Sequence, residues 1–551
     1  MTAYNFQTTP PPIPESEIAE AVEADIVVAG AGPSGLAAAV SAAQAGALVV
    51  LVEKFHSISA PGGPGAPFID SRLQRERAAR GKETPLPNTG TMLPPTVGLP
   101  PMPASMVLET EKSCGQPAGL PVGGSECGPI PTKEEMVEEL WKASAGRADE
   151  RLIKLWADRS GEVADWLVDM ANEQGIDVIV GRFSHMFCKP GCSPFCLNRT
   201  PVGCTQDEGE LCLLNMMAEK GRRLGVEIRT GTRAVRLIRP GKQGRVTGLI
   251  ARRTDGSYIQ LNAKKAVILC TGDYGMDDEM LERYCPWVLG LPKLMLETVS
   301  GDGHKMGLWA GAAVEEAPHC AVLHFNSTNE KPVVHFRPVG MMNRGCFLYV
   351  NKRGERIVNE ACSDEFLANI VLRHPGKAFW QVFDAKSVGE DNQRDVEKCL
   401  ETGAVLKADT IEGLAPQFGA DSRVFGATVD RYNELVRLGR DPDFGKKAEF
   451  LTMALDQPPF YVCESPPDLL CVMGGLVRNA DGQVLDTDYR VIPGLYAAGN
   501  IAGGFWGDTY PMGFLGGIAR SHALVFGRLA GLHAVSNNCL HGDRFLRGGR
   551  G

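Results

Sequence analysis

The chain has 551 residues, 44% of them hydrophobic and 22% charged, with a formal net charge of −9. This composition is ordinary for a globular protein long enough for more than one domain. It offers no basic footprint for nucleic acid, no run of the roughly 20 apolar residues a membrane span needs, and no secretory signal, so the expected location is the cytoplasm.

Residues 1–23 read as an extended, Pro-rich arm. The first clear unit follows: "ADIVVAG" is an apolar, β-branched run expected to form a buried parallel strand. "AGPSG" and the small-residue helix "LAAAVSAAQAG" come next, then a second buried strand, "ALVVLVEK". Together they make a βαβ unit of about 30 residues. Residues 59–131 are rich in Gly and Pro and read as an irregular surface excursion. Residues 133–175 switch to apolar spacings of three and four, the signature of amphipathic helices.

Of the 16 cysteines, five crowd one stretch, 185–212, in "FCKPGCSPFCLNRTPVGCTQDEGELC". In a cytoplasmic enzyme these are thiols or metal ligands rather than disulfides. Cys188, Cys192, Cys196 and Cys204 are separated by Pro- and Gly-rich loops that would let thiolates converge on an iron–sulfur cluster. The spacing matches neither a ferredoxin pattern nor the paired C-x2-C of zinc, and free thiols stay open as the plainer alternative. Beyond this stretch comes a helix, "ELCLLNMMAEKGRRLG", then strands with turns at Gly241-Lys242 and Asp255-Gly256, ending in the buried strand "AVILCTG". Residues 312–460 have a mixed texture and read as an inserted second domain. Buried strands and Gly-rich turns return over 461–535, and 536–551 read as a flexible tail.

Gly30-Ala31-Gly32-Pro33-Ser34-Gly35 forms G-x-G-x-x-G between a strand and a helix. Gly30 permits the tight turn, Gly32 lets backbone approach a pyrophosphate, and Gly35 lets helix pack on sheet. The helix N-terminus presents free N–H groups to the phosphates. Glu53 ends the second strand at the distance expected of a ribose-binding acid. The pattern alone is weak evidence. In this strand–turn–helix context it points to a bound dinucleotide rather than to a generic Gly-rich turn.

Six motifs then occur in order: the fingerprint at residue 30, "AVILCTGDYG", "GDGHKMGLWAGAA", "VNKRGERIVNE", "MGGLVRNADGQVLD" and "GLYAAGN". Together they resemble the flavoprotein family of fumarate reductase and succinate dehydrogenase, which also includes urocanate reductase and 3-ketosteroid Δ1-dehydrogenase. The resemblance implies an α/β fold: a Rossmann-like, glutathione-reductase-type FAD domain (24–311 and 461–535) with an inserted α+β capping domain (312–460). It implies FAD bound through Gly30, Gly32, Pro33, Ser34 and Gly35, with Glu53 and Lys54 at the adenosine end and Asp302 nearby. Thr271, Gly272, Gly499 and Asn500 would meet the pyrophosphate and ribityl chain, and Gly516, Gly517 and Ile518 the flavin ring. Some members tether the flavin through a histidine after the second strand. His56 is the candidate for that position here, and noncovalent FAD is expected.

The substrate side departs from the fumarate reductase pattern. Asp364 stands at the place of a proton-donating arginine, Cys471 at the place of a histidine, and Tyr510 in a turn where an arginine would clamp carboxylate. A C4-dicarboxylate is therefore not the expected substrate. "TYP" at 509–511 is similar to the tyrosine turn of 3-ketosteroid Δ1-dehydrogenases. A phenol, with an ordinary pKa near 10, is protonated at neutral pH and suits a donor role; the plainer alternative is a packing residue beside the flavin. His319 and His324 are the candidates for a substrate histidine, with His335 near them, and Arg337 and Arg344 could restore a cation.

The expected activity is FAD-dependent reduction of an activated C=C in a hydrophobic ring enone, such as a 3-oxosteroid or flavonoid-like compound. The electron donor would be NADH, reduced flavin or a ferredoxin-like protein. The same chemistry run backwards as a dehydrogenase, or service as the flavin subunit of an electron-transfer complex, stays open.

Overall fold

The computed structural model describes residues 4–58, 66–72, 75–76, 132–176, 179–182, 195–198, 208–241, 243–293, 299–325, 347–362, 364–389, 393–508, 510–511 and 517–536. Most of the Pro-rich excursion, three of the four proposed cluster cysteines (Cys188, Cys192, Cys204), His335, Arg337, Arg344 and Gly516 lie outside them.

The centre of the main sheet is built from apolar runs that are buried on both faces, Ile26–Ala29, Val49–Val52 and Ala266–Leu269. Its order is Gln483–Leu485, Val491–Ala497, Tyr258–Leu269, Ile18–Ala29, Val49–Val52 and Glu227–Arg229, and an antiparallel pair, Thr232–Ile238 with Gly248–Arg253, joins it at Tyr258–Leu269. The strands Val491–Ala497, Tyr258–Leu269, Ile18–Ala29, Val49–Val52 and Glu227–Arg229 are parallel neighbours. A strand from the last eighth of the chain, Val491–Ala497, thus completes the sheet that the first strand begins. The first strand starts at Ile18 rather than Ala24. Residues 18–23, read above as part of the arm, alternate in exposure and pair with the first half of Tyr258–Leu269.

The helix Pro33–Gln44 is almost wholly buried under the C-terminal helix Ile518–Ser536. The crossing is close because of glycine. A Cβ on Gly527 would sit 2.2 Å from the Ser34 carbonyl oxygen, and one on Gly531 would sit 2.3 Å from that of Ala38. The predicted helical stretch 133–175 forms two helices, Lys133–Ala143 and Glu150–Glu173. Thr132 and Glu135 close a reciprocal capping box on the first of them.

A second, antiparallel sheet has the order Leu348–Val350, Phe379–Asp384, Phe460–Ser465 and Val405–Ala408, and so extends past residue 460. Between the two sheets lies a strand pair, Cys320–His324 with Asp468–Met473. Beside the second sheet is a buried ion cluster. Arg356 holds Glu360 with two 2.8 Å hydrogen bonds and Asp441 with a third, and Lys446 reaches Glu360 at 3.2 Å. Burial pushes the Asp441 carboxyl up, but Arg356 and the amides of Phe444 and Lys446 outweigh it and hold the group at about 2, against an ordinary 3.8. A lowered carboxylate stabilises the fold above its unfolded-state pKa, and that contribution is lost as pH falls through the folded value. The urea midpoint of the wild type is therefore expected to fall between pH 4 and 2. That of Asp441→Asn should be lower at neutral pH and change less over the same window. Parallel curves would contradict the assignment.

Candidate active site

The strands Ile18–Ala29, Tyr258–Leu269 and Val491–Ala497 end side by side. Each is followed by a turn that the sequence singled out: Gly30–Gly35, Thr271-Gly272 and Gly499-Asn500. Backbone bonds fasten these turns. Gly30 N donates to Val52 O at 2.8 Å, Cys270 N to Ala29 O at 2.8 Å, and Ala498 N to Leu269 O at 3.0 Å. Ligands of open parallel sheets bind at such strand ends.

A Cβ on Gly30 would lie 2.2 Å from the Cys270 carbonyl oxygen, and one on Gly35 would lie 1.8 Å from that of Gly30. A Cβ on Gly32 meets nothing within 4 Å. Gly32 thus faces open space at the N-terminus of Pro33–Gln44, where a pyrophosphate would be cradled by backbone N–H groups. The buried Thr271 Oγ1 has no hydrogen-bond partner among the described residues. Glu53 is aimed by Ala31 N–H at 2.8 Å and Phe55 N–H at 3.0 Å. This donor and acceptor set fits the expected FAD. His56 is an exposed loop residue beside Gly231.

Asp302 is brought to the same end of the sheet, but its carboxylate is heavily engaged. It accepts from Arg233 at 2.6 and 3.0 Å, from Lys54 at 3.2 Å and from Ser300 at 3.0 Å. Burial raises this carboxyl, yet Arg233 and Lys54 hold it below its ordinary value. In this position Asp302 tethers Lys54.

Between the main sheet and the second one is a small cleft with a cavity volume of about 20 Å³. Trp287, Ala321, Val322, Leu323 and Ala368 make its apolar lining, and Tyr510, Asn369, Glu365 and Asp508 its polar lining. Asp508 pairs with Arg147 at 2.6 Å. Tyr510 is buried, its ring tilted on Trp506 with centroids 5.4 Å apart. Its hydroxyl accepts the N–H of Ala519, in the first turn of Ile518–Ser536, at 3.1 Å. Burial raises the phenol well above its ordinary pKa. The oxygen is thus occupied as an acceptor while the phenolic proton stays in place. Gly517, with φ of 80°, and Ile518 begin that helix.

Cys471 pairs with Val322 on the strand pair behind the cleft, and burial drives its thiol well above the ordinary value. Asp364 starts the helix Asp364–Val371, whose Glu365, Ala368 and Asn369 reach the cleft. The side chains of Asp364, His324 and Cys196 lie outside the described residues. Among the described residues no group of three or more His, Cys, Asp or Glu could hold a metal ion.

His319, a candidate substrate histidine, is not in the cleft lining. Its Nε2 donates to Glu315 O at 3.1 Å and its Nδ1 accepts from Tyr274 OH at 2.8 Å. It stacks on Tyr284 at 4.5 Å, and burial lowers it to about 4. Both nitrogens are engaged by protein partners, and burial favours the neutral ring.

Sequence reasoning missed three groups. The Glu315 carboxylate accepts Gly475 N–H at 2.9 Å and Gly504 N–H at 2.6 Å, joining the "MGG" and "AGG" turns. Asp273, directly after Thr271-Gly272, is buried and accepts Gly275 N–H at 2.8 Å. Trp287 supplies an aromatic wall. The first and last come from stretches without motif character; Asp273 stood inside a quoted motif.

The FAD binding domain family matches residues 124–513, and the FAD dependent oxidoreductase family matches 25–63. The chain is 26% identical over 517 residues to a fumarate reductase (cytochrome) of Shewanella frigidimarina, covering 93% of this chain and 77% of that protein. It is 26% identical over 551 residues to the vinyl phenol reductase of Lactiplantibacillus plantarum, covering 93% and 96%. Among solved structures, a 3-ketosteroid-Δ4-(5α)-dehydrogenase from Rhodococcus jostii superimposes with a TM-score of 0.68 at 22% identity, covering 95% of this chain and 99% of that one. This last likeness is one of fold.

Proposed function

The chain belongs to the FAD binding domain family, and on that premise we propose that it reduces the activated C=C bond of a hydrophobic ring enone, a 3-oxosteroid or flavonoid-like compound. At the coarser level it is an FAD-dependent oxidoreductase acting on carbon–carbon double bonds, as its relatives named fumarate, vinyl phenol and urocanate reductase are. No described helix is long and apolar enough to cross a membrane. The electron donor is proposed to be NADH, reduced flavin or a ferredoxin-like protein.

The observation that carries the reading is Tyr510 in an apolar cleft. When bound, FAD supplies hydride at N5. The residues do the rest. Gly30–Gly35, Glu53, Thr271 and Asn500 would hold the cofactor without a covalent tether. Trp287, Val322 and Leu323 would seat a flat apolar substrate and exclude water. Tyr510 Oη, already accepting from Ala519, would donate its proton toward the substrate carbonyl and so polarise the double bond. The segment 312–460 is proposed to act as the cap over this cleft. No described cation lines the cleft, which disfavours a dicarboxylate.

The test is a reoxidation screen. The FAD-loaded protein is reduced anaerobically and offered steroid enones, flavonoid enones, acrylate and fumarate. Reoxidation is expected with ring enones and at least tenfold slower with fumarate. Preference for fumarate would overturn the substrate class.

A further inference from the structure

We propose that the protein holds one small anion, of halide size, at a buried site formed by Arg478, His522 and Trp506. The inference rests on neither the cofactor nor the enone assignment.

The three residues come from separate segments. Arg478 follows the Gly474-Gly475 turn, Trp506 lies in the loop after Val491–Ala497, and His522 is on the helix Ile518–Ser536. They are 6%, 6% and 0% exposed. Arg478 Nη2 donates to His522 Nε2 at 3.3 Å. The rings of His522 and Trp506 have centroids 5.3 Å apart. Phe526 covers the guanidinium, 4.0 Å from its ring centroid, and Phe505 packs on both His522 and Trp506.

This cluster is rich in donors and poor in acceptors. A guanidinium only donates, so His522 Nε2 is the acceptor and the ring proton sits on Nδ1. Burial, helped by the Arg478 charge, drives His522 well below its ordinary value and keeps the ring neutral. Arg478 Nε and Nη1, His522 Nδ1 and Trp506 Nε1 are then buried donors, and none has a hydrogen-bond partner among the described residues. Burial lowers the guanidinium only to about 10, so it stays charged at neutral pH. The carboxylates of Glu315 and Asp149 act on it through space. Their oxygens already accept N–H groups, of Gly475 and Gly504 for Glu315 and of Arg151 for Asp149.

A buried cation with bare N–H groups is costly until acceptors or an anion meet it. A water could accept from two of these donors, but its own two hydrogens would find no acceptor on the three side chains. A monoatomic anion only accepts, takes N–H groups from several directions and balances the charge of Arg478. Phe505 and Phe526, which wall the cluster, offer no donor to the further oxygens of a carboxylate or phosphate. That favours a halide over an oxyanion.

Crystals of the FAD-loaded full chain, grown in gluconate and soaked in sodium bromide, are expected to show an anomalous bromide peak within hydrogen-bonding distance of Arg478 and His522. In solution the melting temperature should rise saturably, by about 2 °C, as bromide replaces gluconate at equal ionic strength. Arg478→Met keeps most of the side-chain bulk but loses the charge and the donors, and should lose both peak and shift. Trp506→Phe loses one donor and should need about tenfold more bromide for the half-maximal shift; it decides the matter if the Met variant does not fold. Water or empty density between these side chains, beside bromide peaks elsewhere on the molecule, overturns the proposal. So does a peak without the saturable shift, which marks an adventitious ion only.

Discussion

Replacing Tyr510 with Phe is expected to slow enone-driven flavin reoxidation about 10²- to 10⁴-fold, the range for loss of a positioned proton donor, while FAD stays bound. The ring and its packing on Trp506 survive the change. Only the hydroxyl is lost, and with it the acceptor for Ala519 N–H. Leaving that N–H unmet costs about 1–3 kcal/mol of stability, so the variant should fold. A role in packing alone predicts a small loss of stability and an unchanged rate. The two are separated by single-turnover reoxidation at saturating substrate, measured beside the flavin absorbance spectrum and the melting temperature. A wild-type rate in Tyr510→Phe would sink the proposed mechanism.

Replacing Glu315 with Ala should destabilise the fold by about 4 kcal/mol and weaken FAD binding at least tenfold. The carboxylate satisfies two partly buried amides, Gly475 N–H and Gly504 N–H, on separate turns. Each orphaned amide costs about 1–3 kcal/mol, and an apolar Ala restores neither. A Cβ on Gly503 would lie 2.4 Å from Glu315 Oε2, so the staple is tightly seated. Burial raises this carboxyl above its ordinary value despite the two amides. Urea denaturation and FAD titration of the apoprotein check the two effects. Unchanged midpoint and affinity would mean that the two turns hold their places without Glu315.

The cofactor half of the site was legible because its signals are local. Gly30, Gly32 and Gly35 sit within six residues, and what each must do follows from one turn's backbone. The "AVILCTG" and "GLYAAGN" runs announced the two further strands whose ends meet the first. The substrate half was legible only in part. Tyr510 was found by its turn and does line the cleft, but the Ala519 N–H that orients it could not be read from spacing. His319 looked reactive because a histidine after Pro318 carries no sign of its surroundings. Its lowered basicity comes from burial, against the opposing pull of the Glu315 carbonyl, in a pocket closed by Tyr274 and Tyr284. The engagement of Asp302, expected at the cofactor, by Arg233 and by Lys54, 248 residues away in sequence, could not be read from spacing.

By itself the sequence determined the strand–turn–helix units, the glycines at their turns and the α/β class, because hydrophobic period and backbone sterics act over a few residues. Only the tertiary structure decided which charges are paired and which histidine is spent. Those outcomes depend on desolvation and on hydrogen-bond partners from distant segments. A binding loop for FAD can thus be recognised as a string of letters, whereas the aim of Tyr510 exists only once the chain has closed around it.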